Sequence, residues 1–208
     1  MTAVARMTVL VMRTVAPYRT QGLVVFGVIV LIDSRSVVGL IPALALLLAP
    51  LVAAQPFMVA DKADLQTLYA VLPLSRRTVL LGHYAWALLS FLAIVITGTA
   101  LAALLAQAQD MPFGGRSLAT LLTLSWALFA VNISIQLPLL IRFGYTRISV
   151  LATTVPLALV MLTVIRVHLD LRSIQNWLPL FWAAGAIAIA TSAALASHAS
   201  SRGRRVLT

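Results

Sequence analysis

Apolar residues recur along the chain in six long runs that short polar gaps separate. A helix that crosses a bilayer needs about 20 mostly apolar residues, and five of the six runs come close to this length or exceed it, the first being shorter. The expected spans are Arg19 to Ile32, Val37 to Val59, Val79 to Ala108, Leu118 to Ile141, Ile148 to Ile165 and Leu178 to Ala196. The pattern therefore predicts an all-α polytopic membrane protein with six transmembrane helices in one domain, residues 18–196.

The chain before the first run has the pattern of an amphipathic helix. Arg6 and Arg13 are seven residues apart and share one face, whereas Met7 and Val11 lie on another. A helix with one basic and one apolar stripe lies at the level of the lipid headgroups. Residues 1–17 are therefore predicted to form an interfacial amphipathic helix, with a frayed tail as the alternative.

Composition supports a membrane protein and excludes other classes. Of the 208 residues, 62% are hydrophobic and 10% charged, with a mean hydropathy of +1.03. Soluble domains are roughly 45–50% apolar and about 25% charged, and disordered chains are poor in hydrophobic residues. The chain has no cysteine, which excludes disulfides, thiolate metal sites and cysteine nucleophiles.

The formal net charge is +10, and the basic residues behind it lie mainly in the gaps between the apolar runs and near the termini. Loops on the cytoplasmic side of a membrane are enriched in Lys and Arg. One side of the predicted topology collects Arg6, Arg13, Arg19, Lys62, Arg76, Arg77, Arg142, Arg147, Arg202, Arg204 and Arg205, and the other has Arg35, Arg116, Arg166 and Arg172. Both termini, including the basic tail 197–208, are therefore expected in the cytoplasm. All but one of the basic residues are Arg, which suggests a bacterial source, and the expected location is then the bacterial inner membrane. The charge is interpreted as an orientation signal toward lipid and not as a nucleic-acid surface.

The loop between spans two and three, segment 60–78, contains a second amphipathic pattern. Its apolar residues fall at i, i+3, i+4 and i+7, which is one face of a helix: Leu65, Leu68, Tyr69 and Leu72. Asp61 and Asp64 are expected in the first turn of this helix, and Pro73 ends it. Ser75, Arg76 and Arg77 then precede span three. The pattern predicts a cytoplasmic helix that acts as a lever on two spans, with an unpartnered interfacial helix as the alternative.

Two stretches of the sequence carry a family resemblance. Residues 59–64 (VADKAD), 72–79 (LPLSRRTV) and 82–84 (GHY) resemble the acidic pair and the Leu-Pro-hydrophobic-Ser-Arg turn of small type-2 ABC exporter permeases. Residues 137–144 (LPLLIRFG) are similar to that family's loop after span four. His83 stands where the family often has Lys, and Gln66 and Thr67 stand where it has Gly-Trp.

The resemblance implies a permease subunit that works with a partner. It implies that the predicted helix is a coupling helix that docks on a cytoplasmic ABC ATPase, and that a second loop, Arg142, Phe143, Gly144 and Arg147, lies on the same side. The only lysine, Lys62, follows Val-Ala-Asp and not the Gly-rich turn of a P-loop. ATP and Mg²⁺ are therefore expected on the partner, with no cofactor, metal or catalytic residue in this chain.

The translocation path is expected from two permease chains, as a homodimer or a heterodimer. Family analogy suggests export of a hydrophobic or amphipathic substrate of the drug or antimicrobial-peptide class. Within span four, Asn132 and Gln136 share a face, which indicates a pathway or interface, or alternatively hydrogen bonds between helices. Span six has a stripe of small residues that permits close packing: Ala184, Ala188, Ser192 and Ala196.

Two other functions are weighed as alternatives. An ion- or proton-coupled secondary transporter usually needs a charged residue inside a span, and no Asp, Lys or Arg falls clearly at the centre of one. An integral membrane enzyme is the second alternative. The histidines His83, His168 and His198 are expected in different loops and on both sides, an arrangement that does not favour one catalytic site.

Overall fold

A computed structural model describes residues 3–33, 37–63, 75–111, 114–167 and 177–202, and the regular elements of this part are helices. This confirms the prediction of an all-helical protein. The α-helices are α1 (Ala3–Val15), α2 (Arg19–Asp33), α3 (Val37–Ala43), α4 (Ala49–Lys62), α5 (Arg76–Ala108), α6 (Gly115–Phe143), α7 (Tyr145–Val167) and α8 (Leu178–Arg202). A 3₁₀ turn, Ala16–Tyr18, follows α1, and a π-helical segment, Leu44–Leu48, joins α3 to α4.

Four stretches in the described part are long and apolar enough to cross a bilayer: Gly39–Lys62, Arg77–Ala108, Gly115–Phe143 and Leu178–His198. A shorter apolar stretch covers Gly22–Asp33. The chain is therefore a multi-pass membrane protein. The count of six spans remains a prediction, for which α2 and α7 are the further helices.

The central helix of the bundle comprises α3, the π-helical segment and α4, and it contains the apolar stretch Gly39–Lys62. Of the span window in this helix, 67% is buried inside the protein, against 17% in α8. Pro56 has no N–H, so the carbonyl of Val52 loses its helical partner. The indole Nε1 of Trp86 on α5 donates to that carbonyl at 3.2 Å, which repairs the hydrogen-bond deficit inside the membrane.

A second proline also leaves a carbonyl without its helical donor, and another helix again supplies the hydrogen bond. Pro138 in α6 leaves the carbonyl of Ser134 without its helical donor. The hydroxyl of Ser192 on α8 donates to this carbonyl at 2.9 Å, and the hydroxyl of Tyr84 on α5 lies 2.7 Å from the Ser192 oxygen. The two hydroxyls thus tie α5, α6 and α8 together at one depth.

Aromatic rings fill the interface between α5, α6 and α8. Phe91 and Phe129 stack with ring centroids 4.3 Å apart, and Trp126 stacks on Trp182 at 5.1 Å. The two indoles also donate hydrogen bonds across the interface. Trp126 Nε1 donates to the carbonyl of Trp182 at 3.1 Å, and Trp182 Nε1 donates to the hydroxyl of Thr123 at 2.9 Å.

Helix α1 packs against α5. Its apolar residues Met7, Val11 and Val15 are buried, while Arg6 and Arg13 are exposed. The close approach depends on Gly82, because a Cβ atom there would lie 2.6 Å from Cγ of Met7. The apolar stripe of this amphipathic helix is therefore covered by protein.

Candidate functional site

Several helices begin or end together at one end of the bundle. Helices α4 and α6 end there, and α5 and α7 begin there. The exposed basic residues of the described part that lie at these helix ends are Lys62, Arg77, Arg142 and Arg147. We call this region the basic end. It contains both loops that the sequence singles out.

The two loops are joined directly by Asp61. Its Oδ2 accepts a hydrogen bond from the backbone N–H of Thr146 at 2.9 Å and lies 3.3 Å from the Thr146 hydroxyl. Thr146 is the second residue of α7, where backbone N–H groups lack helical partners and the helix dipole is positive. A carboxylate from the end of α4 thus caps α7 across 85 residues of sequence.

Gly144 explains why α7 takes its cap from another helix. The residue has φ +79° and ψ 163°, a conformation that is essentially restricted to glycine. It precedes the first residue of α7 and has no side chain to accept the free N–H groups. A Cβ atom at Gly144 would lie 3.4 Å from Asp61 Oδ2, so the position also gives the carboxylate room.

An apolar cluster lies beside this contact and fixes the two helix ends. Leu140 of α6 and Ala54 of α4 are buried together. Phe57 of α4, with Tyr145 and Ile148 of α7, packs against them. The polar link and the apolar cluster hold α4, α6 and α7 at fixed relative positions.

The predicted coupling segment is described only at its borders. Asp64, Leu65, Leu68, Tyr69, Leu72 and Pro73 lie outside the described residues, as does the helix predicted from them. The expectation that Asp61 lies in the first turn of that helix is wrong, because α4 continues to Lys62 and contains Asp61. The apolar run ends at Val59, but the helix continues for another turn beyond it.

The far border of the segment is the start of α5. Ser75 is its N-cap and accepts a hydrogen bond from the N–H of Thr78 at 3.1 Å. The chain of Arg76 is in the first turn of α5, and the side chain of Arg77 is exposed. The segment is thus fixed at both borders, by the Asp61 contact and by the Ser75 cap.

The second loop presents an aromatic and basic surface. The guanidinium carbon of Arg142 lies 5.4 Å from the centroid of the Phe143 ring, within the range of a cation–π contact. The Phe143 side chain is 47% exposed, and Arg147 is exposed as well. Exposed aromatic and arginine side chains are the residue types that protein interfaces favour.

The structure places His83 inside α5, so the expectation that it lies in a loop is wrong. The ring is buried, and its Nδ1 lies 2.8 Å from the carbonyl of Val79. The Phe57 ring of α4 lies against it, with centroids 4.5 Å apart. His83 thus contributes to packing between α4 and α5 next to the basic end.

Asn132 and Gln136 are buried inside the single chain. Their side chains are 2% and 1% exposed. Asn132 Oδ1 and Gln136 Oε1 have no hydrogen-bond partner among the described residues. The hydrogen bonds between helices that the sequence allowed for are therefore not formed by these two oxygens.

Thr146 and Ser192 are two contact residues that the sequence pattern does not identify as such. A usable signal exists for each. Gly144 before a helix predicts a cap from elsewhere, and Pro138 predicts a donor for the carbonyl four residues earlier. Neither signal identifies the partner helix, which only the tertiary structure provides.

The model of a family described as ABC-2 family transporter protein matches residues 19–202. No curated protein and no solved structure is significantly similar to the chain. The matched region runs from the start of α2 to the end of α8 and contains both loops of the basic end.

Proposed function

Because the chain belongs to the ABC-2 family of transporter proteins, whose permeases normally work with a cytoplasmic ATPase, we propose that a separate ATPase docks on the basic end and drives this permease. The single observation that carries the docking site is the hydrogen bond between Asp61 and Thr146. It joins into one surface the two loops whose residues resemble those of small type-2 ABC exporter permeases.

Coupling then follows from the way the loops are held. Segment 60–78 is continuous with α4 and α5, and Asp61 links the same segment to α7. A displacement of the segment by a closing ATPase therefore acts on three helices at once. Because helices are rigid, a displacement at their ends is transmitted along them into the membrane. The packed interfaces between the helices then switch from one discrete arrangement to another. The apolar face that includes Leu68 and Leu72 binds a groove of the ATPase, as amphipathic helices do.

The remaining features of the proposal concern the membrane. With α2 and α7 as further spans, the chain crosses a bacterial inner membrane six times, and both termini lie in the cytoplasm, as the distribution of basic residues favours. Two permease chains pair about a two-fold axis, the commonest symmetry of dimers. ATP and Mg²⁺ bind to the partner, and the complex exports a hydrophobic or amphipathic substrate. Helix α1 places Arg6 and Arg13 toward anionic lipid headgroups.

The double replacement Leu68→Asp with Leu72→Asp tests the docking proposal. Two carboxylates on the apolar face cannot be desolvated in a groove without a large cost, so the ATPase should be lost from the affinity-purified chain. The control is Met111→Asp, an exposed residue at the opposite end of the bundle, which should retain the ATPase. Retention of the ATPase by the double variant at the wild-type level would contradict the proposed docking site.

A further inference from the structure

One face of α6 has a row of buried polar side chains without partners. The side-chain oxygens of Ser125, Asn132 and Gln136 are buried and make no hydrogen bond within the described part of the chain. The residues are spaced at i, i+7 and i+11, which places them along one line of the helix. We call these three residues the polar row.

The surface opposite the polar row is apolar. Phe129, Ile133 and Leu137 alternate with the row on the buried side of α6, and they form one buried cluster with small residues of the central helix, Ala45, Ala49 and Ala53. Alanine side chains offer no hydrogen bond. An unpartnered buried polar group costs about 1–3 kcal/mol, so the polar row lowers the stability of the closed bundle.

The other two unpartnered side chains have different surroundings. Gln55 Nε2 lies 3.8 Å from the position that a Cβ atom would take at Gly22 on α2, so it belongs to the contact between α4 and α2. Ser134 lies where Ser192 of α8 binds its carbonyl. The polar row is thus a separate feature between α6 and the central helix.

The central helix is irregular along this contact. Its π-helical segment, Leu44–Leu48, lies between Pro42 and Pro50. Such π segments and prolines are the usual sites at which helices bend. A bend at these points would move the helix opposite the row away from α6.

The charge around the row defines what it can bind. Asn132 is ten residues from Arg142 and sixteen from Arg116 along α6, or about 15 Å and about 24 Å at the helical rise. No ionisable side chain of α6 is therefore close enough to pair with a charged ligand. Amide and hydroxyl groups instead both donate and accept hydrogen bonds, which suits an uncharged polar group.

We propose that, in each chain of the permease pair, the polar row contributes to the substrate path as a lining that is closed in this structure and becomes accessible between α6 and the central helix. Ser125, Asn132 and Gln136 then hydrogen-bond the uncharged amide or hydroxyl groups of an amphipathic substrate. This inference rests on the proposed function, because the ATPase supplies the opening motion. It accounts for polar side chains that reduce the stability of the closed bundle.

Cysteine labelling tests this lining in the complete complex. The chain has no native cysteine, so Asn132→Cys, Gln136→Cys and the nearly isosteric Ser125→Cys each introduce a single thiol. The permease with its ATPase is reconstituted in nanodiscs and treated with a water-soluble cationic methanethiosulfonate, with and without ATP and vanadate. The labelling rate at the row should differ at least about tenfold between the two conditions, as expected for a shift between closed and open states.

The matched control is Val131→Cys, one residue away and 43% exposed on the outer side of the bundle. A thiol facing lipid should be inert in both conditions. Submicellar octyl glucoside, an uncharged amphipath, should slow labelling of Asn132→Cys more than octyltrimethylammonium does.

Three results would overturn the inference. If the wild-type complex hydrolyses ATP but all three thiols stay inert, the row does not line the path while the proposed function stands. Protection by the cationic amphipath alone would refute the assigned substrate class. If the wild-type chain purifies with no ATPase, the proposed function fails, and the inference that depends on it fails with it.

Discussion

Asp61→Ala is expected to uncouple the two loops of the basic end while the bundle stays folded. The substitution removes the acceptor that caps α7 through the N–H of Thr146, and loss of such a cap costs about 0.5–2 kcal/mol. Backbone amides in the first turn of α7 should therefore exchange with solvent about 2- to 30-fold faster, because 1.4 kcal/mol corresponds to a factor of about ten. Hydrogen exchange read by mass spectrometry measures this directly.

Function should change together with that local exchange. In the complex with its ATPase, Asp61→Ala should reduce the transport achieved per ATP hydrolysed, because α7 no longer follows the coupling segment. Asp61→Asn is the graded control, since asparagine caps helices about as well as aspartate. Asp33→Ala makes the same change at the opposite end of the bundle and should leave α7 unaffected. Unchanged exchange in Asp61→Ala would show that α7 does not depend on this cap.

Gly185→Leu is expected to lower the stability of the bundle more than substitutions on its surface. A Cβ atom at Gly185 would overlap the Trp126 indole, which stacks on Trp182 and binds its carbonyl. The added side chain must push this ring away and separate α8 from α6. Overpacking of this kind costs typically 1–3 kcal/mol and occasionally more.

Thermal unfolding of the purified full-length chain measures this effect. For a chain of this size we expect the melting temperature to fall by roughly 2–12 °C. Ala184→Leu is the matched control, because the neighbouring residue is exposed and an added apolar side chain there faces lipid. Equal melting temperatures for the two variants would contradict the packing of α8 on α6.

Apolar run length predicted the helices because the bilayer leaves few alternatives. Spans three and four were expected from Val79 to Ala108 and from Leu118 to Ile141, and the helices cover Arg76–Ala108 and Gly115–Phe143. In hydrocarbon, a backbone must satisfy its own hydrogen bonds, so an apolar run of span length has to be helical. The helix ends extend past the runs because helices continue into the headgroup region.

The small-residue stripe on span six shows that residue spacing alone does not predict which residues lie in a contact between helices. Ser192 and Ala196 are buried as expected, but Ala184 is exposed and its neighbour Gly185 lies in the contact with α6. A strict four-residue repeat turns about 40° per step around an α-helix. Over three steps it leaves the contact face, which the sequence spacing alone does not locate.

The two loops of the candidate site are predictable from the sequence, whereas the contact between them is not. The residues of the two loops identify them, and the sequence pattern includes both Asp61 and Gly144. The contact between the two loops is the hydrogen bond between Asp61 and Thr146. No local sequence pattern predicts which helix ends lie together. The same limit applies to the polar row. The shared face of Asn132 and Gln136 follows from their spacing, whereas the apolar surface opposite them depends on tertiary packing.

Shielding of the basic end by the ATPase tests the central claim most directly. Single cysteines at Ser75 and Arg147 mark the two loops, and one at Met111 marks the opposite end; all three side chains are exposed. Each variant is labelled with a membrane-impermeant maleimide in nanodiscs, with and without the ATPase. Binding of the ATPase should protect the first two thiols and leave the third equally reactive. Protection at Met111, or at neither loop, would contradict the proposal that the ATPase drives this permease from its basic end.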